Sequence, residues 1–319
     1  MMRPAMKLPL GVVVAVAGYW LPALLGGSTL VYNTLVVTAI FAVMAYGQDI
    51  VLSDLGEVSL AHTAFFAAGA YATGILAADH GWNAWATLAA AGAAALVLAL
   101  VLGLITLRTR EFTFSLVTYA ANVVCYTICY NWSVLGGSDG FVGIPPLDLS
   151  LPGLRLTALS NKDLWPYAYG LLLLVLYFVG RFRRSKLGHA ALMVHMNPPL
   201  ATMNGLDPHR MRLLVFLVSA PLTAFGGWLY AYQRAYVGPD LFETYFMVLM
   251  LTAVVLVGRR LLAGPLIGTA ILMVQKSYLS FGAYFDKIVL GAALVAVLCL
   301  FPGGLAGLVQ GLRRRVESG

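Results

Sequence analysis

Runs of apolar residues, each about as long as a bilayer core is thick, follow one another through most of this 319-residue chain. A helix needs about 20 apolar residues to cross about 30 Å of hydrocarbon. Runs of this kind occupy residues 8–27, 29–46, 50–78, 86–107, 112–131, 163–181, 211–232, 244–258, 261–281 and 286–302. Little of the chain is left for a soluble domain. The composition agrees: 61% is hydrophobic and 10% charged, against about 45–50% and about 25% in soluble domains. A water-exposed shell could not be made from so few polar residues. The expectation is an all-α polytopic membrane bundle of about ten transmembrane helices, one domain over residues 1–319. A soluble enzyme, a disordered chain and a disulfide-stapled secreted domain are excluded.

The net charge of +7 would suggest a nucleic-acid partner in a soluble protein. In a polytopic chain, Lys and Arg instead collect on the cytoplasmic side. Threading ten spans from a cytoplasmic N-terminus puts only Arg155, Lys162, Arg234 and Lys287 outside and Lys276 within the ninth run. The other basic residues fall inside. Both termini are therefore expected in the cytoplasm, the partner is lipid, and no nucleic acid is expected. The first run carries no small-residue cleavage site and reads as a retained span. Cys125, Cys129 and Cys299 lie in apolar runs and read as core-filling thiols.

Two long loops remain. Residues 132–162 face outward, with turn-forming Gly136-Gly137-Ser138-Asp139-Gly140 and then Pro145-Pro146. Residues 182–210 face inward. There Asn197 precedes Pro198-Pro199, the pattern of an N-cap and first helical turn. A short helix from Pro198 to Asn204 should end at Gly205. Such an element is a docking lever or a passive surface loop.

The third run is broken by polar groups. Asp49, Asp54, Glu57 and His62 lie beside Gly47 and Gly56. Ionisable groups and irregular backbone at depth must face protein or a wet cavity. This segment is expected to be re-entrant or a discontinuous helix, with Ser59, Phe65 and Tyr71 on the same pathway. His62 is either a proton relay or a neutral packing residue. A second break, Gly258 through Gly264-Pro265, precedes the ninth run. Paired Gly/Pro-interrupted segments point to a transport route. The chain has no H-E-x-x-H and no G-x-x-x-x-G-K-[ST], so neither a zinc site nor a P-loop is expected. No metal and no directly bound cofactor are expected.

The stretch Val58-Ser59-Leu60-Ala61-His62-Thr63-Ala64-Phe65-Phe66, followed by Gly69-Ala70-Tyr71, resembles the third-span signature of branched-chain amino acid ABC transporter permeases, which prefer Gly at the position of Ala61. Gly137 through Pro146 is similar to the outer loop of the larger of that family's two paired permeases. Arg184-Ser185-Lys186-Leu187-Gly188-His189-Ala190 is similar to the start of its cytoplasmic coupling loop. Gly226-Gly227-Trp228-Leu229-Tyr230-Ala231, Val237-Gly238-Pro239 and Phe301 through Leu308 complete an ordered set over residues 29–310. Two departures lie on the cytoplasmic side and bear on ATPase docking. Val194-His195-Met196 stands for an acidic stretch, and Arg259-Arg260 for a Gly-rich turn.

The resemblance implies an ABC importer in a bacterial inner membrane. This chain would pair with a second permease as a heterodimer. Two cytoplasmic ATPases would consume the ATP, and a periplasmic binding protein would deliver a branched-chain amino acid or a related small solute. Residues 182–210 would be the coupling loop, with Gly188, Leu192, Asn197, Pro198, Leu200, Ala201 and Gly205 shaping the ATPase contact. Selectivity would sit mainly with the binding protein. The alternative is a proton- or sodium-coupled secondary transporter using the acids of the third run. An enzyme is disfavoured for want of a nucleophile or metal set.

Overall fold

The computed structural model describes residues 16–106, 109, 111–150, 156–278, 282–300, 304, 305 and 307. Arg3, Lys7, Arg108, Arg110, Arg155, Arg313, Arg314 and Arg315, most of the Phe301–Leu308 motif and the start of the first run lie outside the described residues.

Residues 16–24 are helical. Helix α1, Thr29–Ile50, starts where the Ser28 hydroxyl accepts the Val31 amide at 3.3 Å. It does not stop at the expected end of the second run. A π-helical turn, Val51–Leu55, carries it on until Gly56 adopts the left-handed φ of +73°. The non-helical break falls at residues 56–61, and α2, His62–Gly74, follows with a second π turn, Ile75–Asp79. The acidic residues therefore sit at the end of α1 and in the break, not midway along a third span. Segmenting by apolar runs missed this because Asp49 and Asp54 interrupt the run without interrupting the helix.

Next come α3 (Ala84–Thr106), α4 (Glu111–Asn131), α5 (Asn161–Arg183), α6 (Lys186–Met196), α7 (Pro198–Met203) and α8 (Pro208–Arg234). The last three are α9 (Thr244–Val257), α10 (Gly264–Tyr278) and α11 (Ala283–Leu300). Among the described residues five helices are long and apolar enough to cross a membrane: Thr29–Leu55, Ala84–Ile105, Phe112–Asn131, Asn161–Arg183 and Pro208–Arg234. Helices α2, α9 and α10 are shorter, with 13, 14 and 15 residues. The chain is an all-α polytopic membrane bundle.

α1 packs against α5, α8, α9 and α10, and α8 packs against α1, α2 and α3. Small residues allow the closest approach. A Cβ at Gly227 of α8 would meet the Phe66 carbonyl at 1.9 Å, and one at Gly69 of α2 would meet the Ala224 carbonyl at 2.2 Å. Without water to drive helices together, such close packing holds them. At mid-bundle the rings of Phe41, Phe66, Tyr230 and Phe246 pack on one another with centroids 5.4–6.4 Å apart. α3 and α4 turn Val97, Leu104, Ile105, Phe112 and Val124 outward. An apolar exposed face of that kind suits lipid or a neighbouring membrane chain.

The 132–162 loop is tied down. Strand β1 (Phe141–Val142) pairs antiparallel with β4 (Tyr236–Val237), and β2 (Leu147–Asp148) with β3 (Thr157–Ala158). Ser160 and Asp163 form a capping box that starts α5. Cys125 is half-buried and Cys129 buried, but Cys299 is exposed, because it lies on the outward face of α11. That corrects the expectation of three core thiols.

Candidate functional site

The end of α1 brings two carboxylates into protein that contains little water-facing surface. Both Asp49 and Asp54 are fully buried. Unpaired buried charge is too costly to persist. The last turn of α5 supplies the answer. Arg183 Nη2 donates to Asp49 at 2.7 Å and its Nε to Asp54 at 3.1 Å. Ser53 donates its hydroxyl to Asp49 as well. Arg260 reaches the other oxygen of Asp54 at 3.3 Å, and its own amide donates to Ser53 Oγ at 3.0 Å. Glu57, in the break, pairs with Arg212 from the first turns of α8. Arg212 also donates to the Thr109 carbonyl at 2.8 Å and lies over the Phe114 ring.

The irregular backbone of the break is satisfied by α4. Thr118 Oγ1 accepts the Leu60 amide at 3.1 Å, and Ser115 donates to the Val58 carbonyl at 2.8 Å. This is how non-helical chain survives in a membrane bundle: its polar groups are enclosed by protein. His62 opens α2, fully buried, with Nδ1 3.0 Å from Ser59 Oγ and Nε2 3.1 Å from Ser219 Oγ. Phe65 and Phe216 pack edge-on to its ring at 5.3 and 6.0 Å. Among the described residues no carboxylate joins this chain of contacts. Tyr71 sits more than two turns away, against Phe141 and Phe242.

The second break meets the first. Gly258 ends α9 at φ +135°, and a Cβ on Gly264 would stand 3.0 Å from its carbonyl. Pro265 is buried in the first turn of α10. Between them, Leu262 accepts a hydrogen bond from Tyr46 of α1 at 2.7 Å. Arg260 takes a left-handed φ of +62°, a conformation unusual outside glycine. That conformation turns its amide and guanidinium onto the end of α1. Arg260, one of the two departures from the family pattern, thus belongs to the acid cluster.

The 182–210 loop folds as two helices across this cluster. Ser185 caps α6, accepting the Gly188 amide at 3.2 Å; a Cβ at Gly188 would stand 2.3 Å from the Phe182 carbonyl. Asn197 Oδ1 caps α7, accepting the Leu200 amide at 3.1 Å. Pro198 is its first residue, and Gly205 follows it at φ +78°. Ala201 is fully buried against the bundle and Leu192 half-buried. Met196, Leu200 and Met203 point away from it, 76%, 50% and 85% exposed. α6 packs on the π turn of α1. There a Cβ at Gly56 would stand 2.0 Å from the His195 ring, so ring and break are in direct contact.

The model of the permease component of the branched-chain amino acid transport system matches residues 30–298. The chain belongs to that family. Two relatives of this permease are named high-affinity branched-chain amino acid transport system permease protein LivM. The protein from Escherichia coli (strain K12) is 26% identical over 291 residues, covering 84% of this chain and 68% of the relative. The protein from Salmonella typhimurium (strain LT2) is 25% identical with the same coverage. No solved structure matches the permease. The family is one of transport subunits, not enzymes.

Within the permease, then, the structure joins Asp49, Asp54, Glu57, Gly258 and Gly264 at one end of the bundle, beside the 182–210 loop. It keeps His62, Ser59 and Phe65 together one layer deeper, and it separates Tyr71 from both. Sequence reading missed Arg183, Arg212 and Arg260 as partners, because they were counted as topology signals. A basic residue at the edge of an apolar run opposite an acid in another run was the available clue.

Proposed function

We propose that this permease is one of two membrane subunits of an ABC importer for branched-chain amino acids in a bacterial inner membrane. Its termini and the 182–210 loop face the cytoplasm, where two partner ATPases dock and consume the ATP. The permease itself holds no cofactor. A periplasmic binding protein delivers solute to the opposite end. One observation carries this reading: the exposed apolar side chains of Met196, Leu200 and Met203 cap a helix pair that rests directly on the broken end of α1. A partner gripping that surface bears on His195, Gly56 and the acid–arginine cluster without an intervening flexible link. Coupling requires only that the ATPase dimer bind two bundle states unequally.

The ion pairs of the acid cluster favour this reading over the ion-coupled alternative. Asp49, Asp54 and Glu57 each meet a guanidinium, so none stands ready to carry a proton or sodium ion through the bundle. Uptake of branched-chain amino acids into inverted-face-controlled vesicles tests the proposal. ATP and the partner ATPases should be required, and a protonophore should have no effect. Gradient-driven uptake by this chain without ATP would sink it. Cysteines at positions 200 and 203 should cross-link to an ATPase; labelling only by lipid or solvent probes would remove the docking surface.

A further inference from the structure

The six tryptophans of the chain all stand at the end of the bundle away from the acid–arginine cluster. α8 runs from Arg212 at the cluster to Arg234 at the far end. Near that far end Trp228 donates to Thr87 Oγ1, in the first turn of α3, at 3.0 Å. Trp82, just before α3, and Trp85, in its first turn, therefore lie there too. α4 runs from Phe114, under Arg212, to Tyr126, against Phe242, and Trp132 follows its last residue. α5 reaches the cluster with Arg183, so Trp165 near its start lies at the far end. Its Nε1 donates to the Tyr19 carbonyl at 3.0 Å, which brings Trp20 alongside. Among the described residues the cluster end holds no tryptophan.

Trp165 and Trp228 are buried and join helices. Trp20, Trp82, Trp85 and Trp132 are 48–59% exposed. They sit on separate elements: Trp20 beside α5, Trp82 and Trp85 at α3, Trp132 after α4. The segment that follows Trp132 is exposed and apolar as well, with Val134 and Val142 turned outward. Residues 132–150 carry only Asp139 and Asp148 as charges. Trp85 Nε1 reaches the Leu149 carbonyl at 3.4 Å, so this segment lies across the start of α3 rather than projecting from it. Apolar side chains exposed in this number mark a contact surface. A single partner protein asks for one contiguous patch, whereas a bilayer interface touches every outward-facing element. The indole suits that layer, with an apolar ring and an N–H donor at its edge. The helix lengths agree. α5 has 23 residues and is about 34 Å long, enough to cross a hydrocarbon core of about 30 Å. Tryptophans at one boundary then put Arg183 and the cluster at the other.

We infer that Trp20, Trp82, Trp85 and Trp132 moor this end of the permease in a phospholipid headgroup layer, and that residues 132–150 lie along that layer with Val134 and Val142 turned into it. The partner of this surface is the lipid interface, not a water-borne protein. The cluster end has no such rings and is not moored in this way. The mooring holds whatever solute the permease carries.

The test reads tryptophan emission from the full-length chain in phosphatidylcholine nanodiscs with a tryptophan-free scaffold. The lipid is plain, brominated near the glycerol, or brominated near the chain ends. Val142→Trp and, beside the cluster, Met203→Trp each add one ring at a position already 72% and 85% exposed, so neither disturbs the packed bundle. Bromines near the glycerol should quench the emission gained in Val142→Trp at least about twofold more than bromines near the chain ends, the depth of a ring at headgroup level. Iodide in the water should barely quench that gain and should quench the Met203→Trp gain strongly. Trp132→Phe should remove emission that glycerol-side bromines quench and iodide does not. Iodide quenching the Val142→Trp gain as strongly as the Met203→Trp gain overturns the mooring and leaves this face to a protein partner. A Val142→Trp gain untouched by either set of bromines overturns it too, as does a Trp132→Phe loss confined to iodide-quenched emission.

Discussion

Arg183→Leu removes the one guanidinium that touches both Asp49 and Asp54. The Arg183 side chain is 10% exposed and its two partners at most 1%, so solvent cannot replace it. Removing one partner of a buried ion pair costs about 3–5 kcal/mol, because the other charge is left uncompensated. Arg260 still reaches Asp54 at 3.3 Å and Ser53 still serves Asp49, which places the expected loss at the lower end, about 3 kcal/mol. For a chain of this size that is a fall in Tm of roughly 4–5 °C. Thermal unfolding in nanodiscs, followed by the emission of the six tryptophans, measures it. Adding Asp49→Asn removes the stranded charge and should recover at least about 1 kcal/mol, a coupling expected only of residues in contact. Asp163→Asn, in the exposed capping box of α5, should recover nothing. A Tm shift under about 2 °C, or a double variant worse than Arg183→Leu alone, would refute the argument that this network is a buried, charge-balanced unit.

Gly56→Ala should cost about 1–2 kcal/mol from its left-handed φ and displace the His195 ring; ATP-driven uptake should fall further than stability does, and His195→Ala should restore part of the uptake. Gly227→Ala puts a Cβ 1.9 Å from the Phe66 carbonyl and should destabilise by about 1–3 kcal/mol through forced separation of α2 and α8, read as Tm. Asn197→Ala removes the α7 cap and should cost about 1 kcal/mol. Its signature is a lower ratio of solute moved per ATP hydrolysed, with Tm nearly unchanged; an unchanged ratio would show that α7 does not carry coupling.

Much of the fold was legible because its cause is local. Runs of apolar residues marked the helices, and Asn197-Pro198-Pro199 with Gly205 marked the short inner helix to within a residue of its observed end. The polar break was legible as a break but not in its position. The π turn lets α1 continue through Ser53 and Asp54, and nothing in an apolar-run count distinguishes a helix that carries acids from one that ends at them. The partners were illegible for a different reason. Arg183, Arg212 and Arg260 come from three separate junctions, and only the folded bundle decides that these meet Asp49, Asp54 and Glu57. Lys276 was hidden in the same way: it reads as a stray charge until the Tyr245 ring lies under its ammonium and Asp286 faces it.

Pairing in the acid–arginine cluster also has an electrical consequence. A charge that crosses the membrane potential gains or loses about 2.3 kcal/mol per 100 mV. Asp49, Asp54 and Glu57 lie locked to Arg183, Arg212 and Arg260, so under the proposed transport cycle a rocking bundle would carry them as a neutral dipolar block. Its displacement then moves almost no net charge through the field, and a zwitterionic solute adds none. Such a machine would keep the same rate in an energised and a depolarised cell, leaving the supply of nucleotide as the throttle on uptake.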